Sequence, residues 1–385
     1  MIQREAETEL KKLADNFKAV AVTGPRQSGK TTLVQKVFAD KPYANLENPD
    51  IRKFALDDPR GFLSNYPDGA ILDEIQRTPE LFSYLQQILD EKNENGLFIL
   101  TGSNNFLLQE NISQSLAGRV GYLFLLPLTL NEINDNNYTS NQLLFKGSYP
   151  ELYHKDKDII RFYANYIRTY IERDVRLLKN ITDLYTFERF LRLCAGRIGQ
   201  LLNMSSLAVE VGVDTKTIGS WIGILETSFI LFRLQPYYKN YNKRVVKMPK
   251  LYFYDTGLAL ALLGVENSSQ LTLHPFRGNL FENLVIVEFL KKRYNKGKSN
   301  NLFFWRDNTG NEIDLLLGDD NLRIPVEIKS GQTISNDFFK GIRFWNKITN
   351  TEGGFLIYDG DIVQKRSGEI TVVPLKELDS IVIYG

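Results

Sequence analysis

The sequence predicts an α/β protein in three parts. Residues 1–150 read as a mainly parallel, doubly wound sheet, 151–265 as a helical and winged-helix segment, and 266–385 as a smaller α/β unit. Three patterns predict this. Short apolar runs alternate with helical stretches through the first part. Aromatic and aliphatic residues fall at helical spacing from about Lys155. Strand-like runs return beyond Leu302, behind a helix that carries Phe281 to Leu290. A chain of 385 residues has room for two or three such units.

The first strand, Ala19-Val20-Ala21-Val22, is wholly apolar, as a strand covered on both faces must be. It runs into Gly24-Pro25-Arg26-Gln27-Ser28-Gly29-Lys30-Thr31, after which Thr32-Leu33-Val34-Gln35-Lys36-Val37-Phe38 opens an amphipathic helix. The stretch satisfies the Walker A pattern G-x-x-x-x-G-K-[ST] in full. Gly24 and Gly29 let the backbone curl so that its N–H groups face phosphate oxygens. Lys30 is placed to reach the β- and γ-phosphates of ATP, and the Thr31 hydroxyl to hold Mg²⁺. The helix N-terminus at Thr32 adds a field that favours an anion.

Tyr43-Ala44-Asn45-Leu46 reads as a weak second strand. Gly69-Ala70-Ile71-Leu72-Asp73-Glu74 is an apolar run ended by two carboxylates, the Walker B arrangement. There Asp73 completes the Mg²⁺ shell through water and Glu74 polarises the attacking water. Leu97-Phe98-Ile99-Leu100-Thr101-Gly102-Ser103-Asn104 is a strand that leaves in polar residues, so Ser103 or Asn104 can face the γ-phosphate. In Ser115-Leu116-Ala117-Gly118-Arg119-Val120, Arg119 is either a finger acting on a neighbouring subunit's nucleotide or a surface arginine in a local salt bridge. The first choice implies a homo-oligomer.

In that order these segments resemble a prokaryotic branch of the AAA+ ATPases. The pairing with a C-terminal domain of unknown function is similar to the same family, as are the later segments Tyr170-Ile171-Glu172-Arg173-Asp174-Val175 and Val326-Glu327-Ile328-Lys329. The resemblance spans nearly the whole chain. It implies an ATPase and brings no substrate with it.

The middle part begins with a helical stretch from Ile160 to Leu178, a candidate lid or connector. The run from Leu201 to Ile222 has the cadence of a helix-turn-helix. Ser205 can cap a first helix, Gly212 can end it, and Asp214 can cap a second that exposes Lys216, Thr217 and Ser220. Between Thr227 and Tyr254 stand Arg233, Lys239, Lys243, Arg244, Lys247 and Lys250, with Tyr237, Tyr238, Tyr241 and Tyr252 among them and no acidic residue. A β-hairpin with Lys243 and Arg244 at its tip can lie along DNA phosphates, or the module can pack against protein with its charges solvated.

In the C-terminal part, Glu282 lies on the predicted helix, Asp314 on the strand Glu312-Ile313-Asp314-Leu315-Leu316-Leu317, and Glu327 and Lys329 on Ile324-Pro325-Val326-Glu327-Ile328-Lys329. Glu327 and Lys329 leave one face of their strand. The set resembles the PD-(D/E)xK nuclease core in order and placement, which implies a restriction-endonuclease-like fold. Clustered carboxylates repel unless a cation such as Mg²⁺ or Mn²⁺ sits between them. On this reading Glu282, Asp314 and Glu327 ligate the metal and Lys329 offsets developing charge at a scissile phosphate. A catalytically silent nuclease fold, kept as a scaffold, is the alternative.

Bulk properties set bounds. The formal net charge is +1, so any nucleic-acid surface must be local. The one cysteine, Cys194, lies in an apolar helical pattern and reads as core. It excludes an intramolecular disulfide and fits a reducing, cytoplasmic compartment. His154 and His274 lie far apart in sequence, which leaves a His/Cys zinc site without support. The first residues, Met1-Ile2-Gln3-Arg4-Glu5-Ala6-Glu7, are charged where a signal peptide needs an apolar run, and no membrane span is expected.

Overall fold

Helix α1 (Glu7–Asn16) leads into the buried strand β1 (Ala19–Thr23), and helix α2 (Lys30–Val37) follows the glycine-rich loop. The structure, a computed structural model, describes residues 2–92, 94–103, 108, 112, 114–134, 137–154, 157–171, 183–238, 245–319 and 322–381. Strand β2 (Tyr43–Asn45), helix α3 (Pro49–Asp57), strand β3 (Ala70–Asp73), helix α4 (Leu81–Lys92), strand β4 (Phe98–Gly102) and strand β5 (Val120–Phe124) complete the first part.

The five strands form one parallel sheet in the order β2-β3-β4-β1-β5. Strand β4 is inserted between β1 and β3, so residues 101–103 leave the sheet between the glycine-rich loop and Asp73. Alternation along β1 explains the double winding. Val20 and Val22 face α1 and α2 through Leu10, Leu33 and Val34. Ala19 and Ala21 face the opposite layer, where Leu81, Phe82, Leu85 and Leu89 of α4 pack. Both faces are apolar because neither meets water.

Next come α5 (Ser140–Lys146), α6 (Ile159–Tyr166), α7 (Leu184–Ala195), α8 (Met204–Val211) and α9 (Thr215–Thr227). Helix α6 continues into a π-helical stretch at Ile167–Ile171, and the rest of the expected 160–178 helix lies outside the described residues. Asn203, not Ser205, caps α8, because its side chain accepts from the Ser206 amide. Gly212 ends α8 in the left-handed region and Asp214 caps α9, both as expected. Cys194 is buried in α7 as a packing residue, and burial pushes its thiol pKa up.

Strands β6 (Leu231–Pro236) and β7 (Lys250–Phe253) form an antiparallel pair, followed by α10 (Thr256–Leu262) and α11 (Arg277–Tyr294). Strands β8 (Phe303–Arg306), β9 (Glu312–Gly318) and β10 (Arg323–Lys329), helix α12 (Lys340–Thr349) and strands β11 (Gly354–Tyr358), β12 (Gln364–Arg366) and β13 (Ile370–Pro374) close the chain. All eight strands from β6 onward join one sheet, ordered β12-β13-β11-β10-β9-β8-β6-β7. The seam is a parallel contact in which Gln235 faces Phe303 and Pro236 faces Phe304. One apolar core runs from Leu126 to Ile381 beneath it. The expected junction near residue 265 therefore falls inside a shared sheet and a shared core.

Candidate functional site

The glycine-rich loop leaves the C-terminal end of β1 and turns twice through the left-handed region. Gln27 has φ of 61° and Gly29 has φ of 92°. A Cβ at Gly24 would come within 2.1 Å of the Leu125 carbonyl oxygen, so only glycine fits there. The loop delivers Lys30 as the first residue of α2, where helix N–H groups lack intrahelical partners.

Lys30 is 6% exposed, and its amine donates to the carbonyls of Gly24 (2.9 Å) and Pro25 (2.8 Å). Burial pushes its pKa down to about 8, against the pull of the Glu74 and Asp73 carboxylates. The Thr31 hydroxyl donates to both oxygens of Asp73, at 3.1 and 3.2 Å. Asp73 also accepts from the Tyr43 hydroxyl at 2.7 Å and from the Thr101 hydroxyl. Glu74 has φ of 57°, and its carboxylate accepts from the Ser103 hydroxyl at 3.0 Å and from the Gln76 amide. Asn104 lies outside the described residues.

Three of these partners were not picked out from the sequence as site residues: Tyr43, Thr101 and Gln76. A fourth is Arg4, which donates to the carbonyls of Ser28 and Leu126, both at 2.7 Å, and pairs with Glu132 at 3.0 Å. The N-terminal segment thereby fastens the underside of the loop. Above it opens a cleft of about 640 Å³. Lys30, Thr31 and Glu74 line one side, and Leu128, Pro150 and His154 another. Thr31 and Asp73 present a hydroxyl and a carboxylate side by side, a hard oxygen donor set that fits Mg²⁺. The Ser28 hydroxyl is buried in the loop and has no hydrogen-bond partner among the described residues.

Arg119 is not brought to this cleft. It precedes β5 and its carbonyl accepts from the Ala19 amide, which puts it at the N-terminal edge of the sheet, opposite the loop. Its guanidinium grips Asp90 of α4 through two bonds of 2.6 and 2.7 Å.

The C-terminal residues do converge. Asp314 and Glu327 lie on the paired strands β9 and β10. Lys329 bridges them, 2.9 Å from Asp314 and 2.6 Å from Glu327. The Ile328 amide also donates to Asp314, at 2.8 Å. Burial raises the Glu327 pKa well above the usual carboxylate range, and the Asp314 charge raises it further. Asp314 goes the other way: Lys329, Lys250 and the Ile328 amide outweigh its burial and lower its pKa. The two carboxyls of the pair are thus shifted in opposite directions.

Glu282 joins through a residue read in sequence as part of a basic surface. Lys250 of β7 lies 2.9 Å from Glu282 and 2.5 Å from Glu312, and its side chain is 4% exposed. The Tyr252 hydroxyl also donates to Glu282. Where the sequence expects a metal between Glu282, Asp314 and Glu327, the structure places lysines among these carboxylates. Their charge is answered by two ammonium groups, and among the described residues no three Asp, Glu, His or Cys side chains are close enough to hold a metal ion.

The basic surface shrinks likewise. Arg233 is clamped by Glu226 at 2.6 and 2.8 Å, and Lys250 is buried. Lys216 and Lys247 are exposed, whereas Lys243 and Arg244 lie outside the described residues. Among the described residues no helix is long and apolar enough to cross a membrane.

Comparison with known proteins matches three segments of the chain. A family described as an AAA domain matches residues 16–134. Two domains of unknown function, DUF8612 and DUF4143, match 138–269 and 277–378. Residues 16–134 thus match a P-loop domain of AAA type. The uncharacterized proteins Rv2008c of Mycobacterium tuberculosis and Mb2031c of Mycobacterium bovis are each 30% identical over 337 residues, covering 86% of this chain and 75% of theirs. Among solved structures, the Walker-type ATPase PABY2304 of Pyrococcus abyssi covers 68% of this chain and 96% of its own, with 13% identity and a TM-score of 0.42.

Proposed function

This chain belongs to the family of those two uncharacterized mycobacterial proteins, and from its AAA-domain match we propose that it hydrolyses ATP as a switch that gates a C-terminal interaction domain. One observation carries the ATPase half. Lys30 rests on the Gly24 and Pro25 carbonyls at the mouth of the cleft, beside the Thr31–Asp73 pair. Residues Gly24, Pro25, Arg26, Gln27, Ser28, Gly29, Lys30, Thr31 and Thr32 cradle the phosphates. Lys30 leaves its two carbonyls and meets the β- and γ-phosphates, and a charge held by weak neutral acceptors is free to do so. Thr31 and Asp73 hold Mg²⁺, which offsets phosphate charge when bound. Glu74 takes the proton side of the water, its carboxylate aimed by Ser103 and Gln76. Asn104 stays in the reading as a γ-phosphate contact. Lys30→Ala is expected to abolish ATP turnover, and retained turnover would overturn the reading.

Gating is supported by the floor of the cleft. The Leu128 carbonyl accepts from Lys291 of α11 at 2.7 Å, and the Leu130 amide donates to Glu288 at 2.8 Å. Helix α11 also carries Glu282. Movement at Leu128 is thereby transmitted towards the carboxylate–lysine cluster. The check is hydrogen exchange of residues 277–294 with and without ATP and Mg²⁺, in which unchanged protection would remove the gating half.

DNA is the proposed ligand of the 151–265 segment, through Lys216 and Lys247 on the described surface and Lys243 and Arg244 beyond it. Gel-shift affinity that falls steeply with salt, and further on Lys247→Glu, is the expected result. Metal-dependent cleavage by Asp314, Glu327 and Lys329 is the rival reading, favoured by their convergence, and a DNA nick that needs Mn²⁺ and Asp314 would establish it. A homo-oligomer in which Arg119 reaches a neighbour's nucleotide completes the reading. A cytoplasmic setting fits the single, buried Cys194.

A further inference from the structure

We infer that Lys250 holds the place of the divalent cation in the C-terminal cluster, so that the carboxylates are already paired and take up no metal. The inference is independent of the ATPase reading. An ammonium offers three donors and no acceptor. Lys250 gives one to Glu282 and one to Glu312, and it lies 5.5 Å from the centre of the Phe304 ring. Lys329 answers Asp314 and Glu327 in the same way, and Arg306 reaches the other oxygen of Glu312 at 3.0 Å. Each of the four carboxylates, Glu282, Glu312, Asp314 and Glu327, thus has an ammonium or guanidinium partner.

Steric closure points the same way. A Cβ at Gly341 of α12 would come within 2.0 Å of Glu327 Oε1, so the helix backbone seals that oxygen. Its other oxygen is taken by Lys329. Asp314 Oδ2 is taken by the Ile328 amide and Lys329, and Glu282 Oε1 by Lys250 and Tyr252. A metal would have to displace an ammonium fixed on a buried strand, not a mobile water.

Lys250 also has a second effect. It comes from β7, in the segment before residue 269, and its partners lie on α11 and β9, beyond residue 277. One buried charge thus locks two sequence segments together where a metal-dependent enzyme would keep an open coordination site.

The test is Mn²⁺ titration of the full chain, stripped of metal and free of nucleotide, followed by the electron paramagnetic resonance signal of unbound Mn²⁺. Wild type and Asp314→Asn are expected to give superimposable isotherms. Lys250→Met keeps the bulk and removes the charge; it is expected to take up one more equivalent, which Lys250→Met with Asp314→Asn loses again. Two outcomes overturn the inference: an Mn²⁺ held by wild type and lost in Asp314→Asn, or a folded Lys250→Met protein that takes up none. Should Lys250→Met fail to fold, the comparison of wild type with Asp314→Asn and Glu327→Gln decides alone.

Discussion

Lys30 and Lys250 are both lysines buried beside acidic residues, and they are held in opposite ways. Lys30 donates only to the carbonyls of Gly24 and Pro25, with Asp73 and Glu74 near but unbonded to it. Lys250 donates directly to Glu282 and Glu312. Burial wins at the first site and lowers the pKa; the carboxylates win at the second and raise it well above the ordinary lysine value. The difference separates an ammonium kept available for an incoming anion from one already committed. Sequence distance from an acidic residue does not tell them apart, because the deciding partner of Lys30 is its own loop backbone.

The largest expected effect follows from availability. Lys30→Ala removes a charge that acts only on bound phosphate, and turnover is expected to fall by at least about 100-fold, the usual cost of deleting one preorganised donor. Its effect on folding is expected to stay within about 1 kcal/mol, since no buried carboxylate loses its partner. Lys250→Ala is expected to do the reverse. It strands Glu282 and Glu312, costs about 3–5 kcal/mol in urea denaturation, and leaves any residual nucleotide affinity intact. Equal losses of stability from both variants would erase the comparison. Replacing Lys250 and Glu282 together by Met and Gln is expected to recover part of the loss.

These contrasts explain what the sequence made legible. The strand, loop and helix around Lys30 were readable because local chain geometry makes the site: two glycines, an apolar strand and a helix start lie within twenty residues of one another. Asp73 and Glu74 were readable because they end an apolar run. Arg4 and Tyr43 were not, since each reaches the site through a tertiary contact with no local pattern. In the C-terminal part, the order Glu282, Asp314, Glu327, Lys329 marked the right neighbourhood. It did not show Lys250, which stands among the basic residues of the 227–254 window and is buried on β7 against Glu282. Arg233 was misread for a related reason: its partner Glu226 lies on α9, outside the acid-free window.

A smaller effect tests Lys30 through pH. Its pKa in the folded protein is about 8, below the ordinary 10.5. Between those values the unfolded chain binds more protons than the folded one, so the Lys30 contribution to stability rises with pH across that window. ATP prefers the charged amine, so its affinity is expected to fall over the same range, by up to tenfold per pH unit above about 8. Opposite slopes in urea denaturation and in nucleotide titration are the signature, and Lys30→Met is expected to flatten both. Parallel slopes would mean that Lys30 is not the group titrating.

The smallest expected effect on the isolated chain belongs to Arg119. Its bonds to Asp90 are short but exposed, and such pairs add little to stability because solvent screens them and side-chain ordering opposes them. Asp90→Ala is therefore expected to leave the melting temperature within experimental scatter. Asp90 nevertheless holds Arg119 against the edge of its own sheet, so a trans contact requires this pair to open. Releasing it should then raise the specific ATPase rate at concentrations where protomers meet, and leave it unchanged at high dilution. Arg119→Ala should remove that dependence on concentration without changing nucleotide affinity. A specific activity that is flat with concentration in all three proteins would leave Arg119 as a surface salt bridge, and would place the whole hydrolytic apparatus within one chain.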